Sequence, residues 1–296
     1  MIQTKQFTLL YILGSGHSGS TLLDMLLNAH SEITGLGELV ALRRYIILEK
    51  EGLSEDRPGD WQEVKTNVLS MPLWQKLRQC YQARRGIAFT SLAEACSYPN
   101  FRVLIHKWNA ADMKRYTFPW HILFACVYEA LGAKIITDTS KFPHRLYILK
   151  RSGLFKVKVI HLIRDGRGVI NSFYRKYGSF WLGLQRWMYP SLESLYVRRL
   201  FTNEDWMTLR YEELATNPEE QLVKICSFLD LEFEGKMLSF RSTPYIGIGG
   251  NRMREQQTEE QIVLDKRWLR ELSSKHRLAF ALIAGWLNKF YGYRIL

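Results

Sequence analysis

The sequence predicts a three-layer α/β fold, a mostly parallel central sheet with helices on both faces, and three observations predict it. Residues 8–30, TLLYILGSGHSGSTLLDMLLNAH, read as a buried strand, a glycine-rich turn and a helix. Short apolar runs of buried-strand type then alternate with helical stretches along the chain. With 296 residues, 47% hydrophobic and 24% charged, the composition is that of a globular chain able to bury a sizeable core. One domain over 1–296 is expected, with a mainly helical insertion at about 52–132.

Taken in order, Leu9 to Leu13 form the continuous apolar run of a strand covered on both faces, and Leu22, Leu23, Leu26 and Leu27 recur at helical spacing. ITGLGELVALRRYIILEK predicts a turn at Gly35 and Gly37 followed by a helix with Glu38 at its start. Residues 52–100 contain the breaker cluster Asp56 to Asp60, a helical stretch from Trp61 and a break near Pro99, an insertion over one face. Helices are then expected at 120–131, after Pro143, at 166–176, at 180–201 and from Asn217-Pro218 to about Leu229. Strands are expected at 133–137, 157–163 and 206–209. The aromatic residues Trp181, Trp187 and Tyr189 read as core of the long helix rather than as a substrate cage. Leu278 to Leu287 is strongly apolar but shorter than the roughly 20 residues that span a bilayer, which predicts a packed core helix.

The glycine turn follows the phosphate-binding spacing G-x-x-x-x-G-K-[ST] at Gly14, Gly19 and Thr21, but Ser20 stands where the lysine belongs. That makes the fold P-loop NTPase-like and disfavours a nucleoside triphosphatase. The glycines still allow a tight turn whose N–H groups, with the helix start, face an anion. A second anion site is read at the end of the strand in VIHLIRDGRGVINSFY. Arg164 and Ser172 lie eight residues apart there, about two helical turns, and offer a guanidinium and a hydroxyl. Two anion sites imply a two-headed nucleotide.

Charge and cysteine usage narrow the partners. The excess of 41 Lys+Arg over 29 Asp+Glu gives +12, which suits an anionic ligand, but the cations are scattered in doublets and no nucleic-acid module is recognisable. Cys80, Cys96, Cys126 and Cys226 are far apart and form no C-x-x-C pair, so neither a zinc site nor a disulfide framework is indicated and reduced thiols in a cytoplasm are expected. The first strand begins too early to leave room for a signal peptide, so no membrane partner is expected.

At this point the chain resembles the PAPS-dependent sulfotransferases, enzymes that use 3'-phosphoadenosine 5'-phosphosulfate as sulfonate donor. GSGHSGSTLLDMLLNAH is similar to the family's 5'-phosphosulfate loop, which would place Ser15, Gly16, His17, Ser18, Gly19, Ser20 and Thr21 on the donor. LIRDGRGVINSFY is similar to the 3'-phosphate motif, with Arg164 and Ser172 on its two contacting positions. MTLRYEELATNPEEQLVKICSFLDLEF resembles the strand and helix that follow, and ITDTSK and GIGGNRMR resemble loops of the bacterial branch. The last of these would bring Asn251, Arg252 and Arg254 near the nucleotide. The resemblance implies an EC 2.8.2 type enzyme with PAPS as donor, PAP as product, no metal requirement, and a small-molecule hydroxyl or amine, of a specialised metabolite for instance, as acceptor.

Sulfonate transfer asks for a base at the acceptor, in-line alignment and charge stabilisation at the departing phosphate oxygen. Glu38 is the candidate base, since related branches place a glutamate after the first helix; the competing reading is a glutamate favoured by a helix N-terminus. His106 in VLIHKW is the alternative base, although its apolar neighbours Val103 to Ile105 suit a core histidine. Most relatives carry Arg or Lys where this chain has His17. Either a protonated His17 or Lys141 can supply the cation, and His17 as a plain polar loop residue stays open. Two rival functions remain: a P-loop metabolite kinase, which magnesium-independent activity would exclude, and a non-catalytic nucleotide- or polyanion-binding module, which a base variant with lost turnover would exclude.

Overall fold

The computed structural model describes residues 7–51, 68–96, 106–255 and 262–295. Five strands, β1 (Thr8–Gly14), β2 (Ile33–Gly35), β3 (Ile135–Lys141), β4 (Lys156–Ile163) and β5 (Trp206–Arg210), pair in the order β2-β3-β1-β4-β5. Every pairing is parallel, with Leu9 opposite Ile136 on one side and Val157 on the other. Strand β1 is buried at all seven positions, which is what its unbroken apolar run requires of a central strand covered on both faces. The strand order reverses at β1: the chain runs first toward β2 and β3, then crosses to β4 and β5. The loop after β1 therefore opens at the switch point, where parallel sheets bind ligands.

Helix α1 (Ser20–Asn28) is buried along its whole length, so its leucines face β1 and the layer outside it. On the opposite face α2 (Leu42–Glu51), α3 (Pro72–Arg85), α4 (Leu92–Ala95), α5 (Ala110–Leu131) and α6 (Pro143–Arg151) build a second core with Phe124, Trp120 and Leu146. Helices α7 (Gly166–Tyr177), α8 (Phe180–Arg198) and α12 (Ser274–Phe290) form a third core around Trp187 and Phe280. Short α9 (Tyr211–Thr216) and α10 (Pro218–Phe228) follow β5, and α11 (Trp268–Glu271) precedes α12. Local chemistry sets several boundaries. Asn109 and Asp112 close a capping box on α5, Gly132 ends it in a left-handed conformation, and Asp165 and Ser179 cap α7 and α8.

Several expectations are corrected. Gly35 ends a strand rather than making a turn, because three residues suffice to pair on the outside of β3. Helix α5 starts ten residues before Trp120, carried through Pro119 by its capping box. Of the three aromatics read as core on α8, Trp187 is buried, whereas Trp181 and Tyr189 are exposed. Helix α12 packs through Phe280, Ala284 and Leu287, while Leu278 and Leu282 face outward, since only one side of it meets α7 and α8. The breaker cluster, the stretch from Trp61 and the break near Pro99 lie outside the described residues. No described helix is long and apolar enough to cross a membrane.

The cysteine reading is overturned. Cys80 on α3 and Cys126 on α5 form a disulfide, with Cα atoms 5.9 Å apart, because the two helices pack side by side. Spacing in sequence carries no trace of that contact, and the argument from reduced thiols to a cytoplasm loses its basis. The bridge closes a separation of 46 residues, so reducing it should remove about 2–4 kcal/mol of stability. Urea unfolding with and without reductant measures this, against a Cys80→Ser/Cys126→Ser double variant that should ignore the reductant.

Candidate functional site

The ends of four strands converge on one region. Strand β1 ends in the glycine loop, where Gly19 has φ 95° and a side chain's Cβ would stand 2.6 Å from the Tyr211 ring. A Cβ at Gly16 would meet Phe173 at 3.0 Å, so both glycines let the loop backbone run close against those rings. Helix α1 then begins without a side-chain cap and without an acidic residue in its first turn. Its first backbone bond is Leu23 N–H to Gly19 O at 3.1 Å, which leaves the N–H groups of Ser20, Thr21 and Leu22 without intrahelical acceptors. Ser18 Oγ is fully buried and has no hydrogen-bond partner among the described residues. An uncapped positive helix end with an orphaned hydroxyl beside it fits a phosphate or sulfonate group. Thr21 Oγ1 accepts from Asn251 N–H at 3.0 Å.

Past β2, Gly37 and Glu38 are stitched to the late loop. Glu38 N–H donates to Ile248 O at 2.6 Å and Ile248 N–H to Leu36 O at 3.0 Å. A Cβ at Gly37 (φ 71°) would stand 2.2 Å from Ile248 O. Glu38 Oε1 forms an ion pair with Lys141 Nζ, at the end of β3; the two side chains are 25% and 13% exposed. Glu38 Oε2 has no protein partner among the described residues. Behind the pair, Asp138 binds Ser140 and the buried Arg145 at 2.7 Å, and Ser140 Oγ accepts from Val40 N–H at 3.2 Å. His17 and Lys141 both sit at positive φ, 61° and 69°. Strained non-glycine backbone of this kind concentrates at functional sites.

The third group comes from β4. Arg164 Nη1 donates to His17 O at 2.7 Å, Nη2 meets Asp265 Oδ2 at 3.1 Å, and the guanidinium lies 4.4 Å over the Tyr211 ring. Ser172 Oγ donates to Gly168 O at 2.9 Å, and a Cβ on Gly168 would stand 3.1 Å from Arg164 Nε. Both side chains thus lie against Gly168. Asn251 and Arg254 shape the late loop: Asn251 Oδ1 accepts from Met253 N–H, and Arg254 donates to Gly247 O at 3.0 Å and to Tyr45 Oη at 3.1 Å. That loop touches both halves of the site, for a Cβ at Gly249 would stand 2.9 Å from Glu38 Cβ and one at Gly250 2.8 Å from Thr21 Oγ1. The side chain of Arg252 lies outside the described part. His106 is exposed and Val103 to Ile105 lie outside the described residues, so the core placement expected of it does not hold.

Burial, with Lys176, Lys141 and Arg164 nearby, pushes the His17 imidazole down to about 4. The lowered value means that the ring is neutral from about pH 5 upward and gains its proton only below that. An NMR titration of the ligand-free protein should place the His17 midpoint near 4, and a midpoint above 6 would overturn the assignment. His161, buried between Trp206 and Tyr291, is structural.

Two features escape the motifs. Asp265 holds Arg164 and Arg267 together, and the Arg267 guanidinium keeps its carboxyl well below the usual range. Asp24, fully buried in α1, accepts from Gly37 N–H at 3.1 Å, from Tyr245 Oη at 2.5 Å and from Thr137 Oγ1. Burial pushes its carboxyl up to about 6. The one legible signal for it was a lone charge in the otherwise uncharged helix STLLDMLLN.

A family profile described as the sulfotransferase family matches residues 10–235. The chain belongs to the sulfotransferase family. Among solved structures, the sulfotransferase domain from the olefin synthase of Synechococcus PCC 7002 is similar to this sulfotransferase at 21% identity and TM-score 0.58, over 98% of this chain and 96% of that one. The sulfotransferase domain from the curacin biosynthetic pathway is similar at 17% identity and TM-score 0.52, over 94% of this chain and 98% of that one. At these identities the likeness bears on the fold alone. No curated protein matches the chain.

Proposed function

We propose that this sulfotransferase moves a sulfonate group from 3'-phosphoadenosine 5'-phosphosulfate to a hydroxyl or amine of a small-molecule acceptor. The observation that carries the reading is the placement of Glu38 and Lys141 beside the glycine loop, joined to it by one late loop that packs on both. The donor supplies an activated sulfonate whose leaving group is a phosphate oxygen. The loop from Ser15 to Thr21 would bind its phosphosulfate, and Arg164 with Ser172 would take the 3'-phosphate. Glu38 accepts the acceptor's proton at Oε2, the oxygen that Lys141 leaves open, while Lys141 Nζ offsets charge at the departing oxygen.

Labelled donor, a panel of hydroxyl and amine acceptors and a magnesium-free buffer test the reading. Transfer without added magnesium is the expected result. Failure of the desulfated nucleotide to bind in a calorimeter would sink the proposal at its first step.

A further inference from the structure

We propose that Asp24 is a positioning residue for the base: its carboxylate holds the glycine-loop helix, the Gly37-Glu38 turn and the late loop in one register. The inference rests on reading Glu38 as the base. Asp24 lies in α1, one turn past Thr21, with no exposed surface. Its three donors come from three separate places: Thr137 on β3, the Gly37 backbone next to Glu38, and the Tyr245 hydroxyl just before the late loop. No cation hydrogen-bonds to it among the described residues; Lys141 acts on it through space. Burying a carboxylate without a contacting counter-ion costs free energy, offset here mainly by hydrogen bonds that tie distant segments together.

The next turn of α1 repeats the grip. Asn28 Oδ1 accepts from Gly35 N–H at 3.0 Å, and its amide donates to Pro244 O at 3.1 Å. The helix therefore clamps the approach to Glu38 and the approach to the late loop at two successive levels. Gly249 and Gly250 then set that loop down on Glu38 and Thr21. The same helix that presents N–H groups to the donor thus fixes where the base stands, which is how alignment within an ångström is kept between two groups on different strands.

The hydrogen-bond inventory separates the variants. In Asp24→Asn the amide oxygen can take Gly37 N–H and Tyr245 Oη while the amide N–H₂ donates to Thr137 Oγ1, so all three bonds survive. Asp24→Leu keeps the bulk and loses all three. Tyr245→Phe loses one and leaves the helix untouched. Expected are near-native turnover for Asp24→Asn, a drop of roughly 10²-fold in kcat for Asp24→Leu, and about 2- to 10-fold for Tyr245→Phe. The calorimetric affinity for PAP should be far less affected, and amide exchange at Gly37 and Glu38 should speed up. Equal losses of kcat and PAP affinity would show general loosening and overturn the role, as would native kcat in Asp24→Leu. Should Asp24→Leu fail to fold, Tyr245→Phe carries the test by the same split. Glu38→Gln run alongside isolates the premise: full turnover there removes the base reading, whereas exchange at Gly37 still reports on Asp24.

Discussion

Replacing Glu38 by glutamine should cut kcat by roughly 10²–10⁴-fold and leave the affinity for PAP unchanged. The substitution is close to isosteric, keeps an oxygen toward Lys141 Nζ and leaves the backbone bonds of residues 36–38 to the late loop intact. What it removes is the lone pair that takes the acceptor's proton. Stability should hardly move, because a partly exposed ion pair contributes about 0–1 kcal/mol. Single-turnover rates with labelled donor, thermal unfolding and PAP calorimetry on the same preparation separate these effects. Native turnover would move the base elsewhere. His106, the alternative base, is exposed.

The parts of this picture that were legible in the sequence are those written in local chemistry. The β1 run is apolar at every position because both faces are covered, and the glycines that follow mark a turn only they can make. Arg164 and Ser172 sit on one strand-to-helix connection, so their common neighbour Gly168 lies within the same short segment. Contacts between distant segments left no local trace. The Cys80–Cys126 bridge depends on how α3 meets α5, and Asp265 reaches Arg164 across 101 residues of chain. Asp24 is marked in the sequence only by being the one charge in STLLDMLLN, and it is not among the site residues read from the sequence. His17 was legible as a departure but its protonation was not, since that follows from burial beside three cations supplied by other elements.

Removing the Arg164 side chain should weaken PAP binding by about 30-fold or more, the effect of truncating one partner of a buried, hydrogen-bonded charge pair. The guanidinium is 7% exposed and joins three segments: the His17 carbonyl in the glycine loop, the Asp265 carboxylate and the Tyr211 ring. In Arg164→Ala the Asp265 carboxylate loses its Arg164 partner and keeps Arg267. Arg167 is already committed to Asp165 and Arg267 to Asp265. Lysine should not rescue, because a single ammonium cannot serve the His17 carbonyl and a phosphate as a planar fork does. Comparing PAP with adenosine 5'-phosphate isolates the contribution of the 3'-phosphate from that of the loop. The loss should be large for PAP and several-fold smaller for the nucleotide lacking that phosphate. Equal losses for both would mean that Arg164 acts by holding the His17 backbone, and the 3'-phosphate would then have to be assigned to other cations of the site.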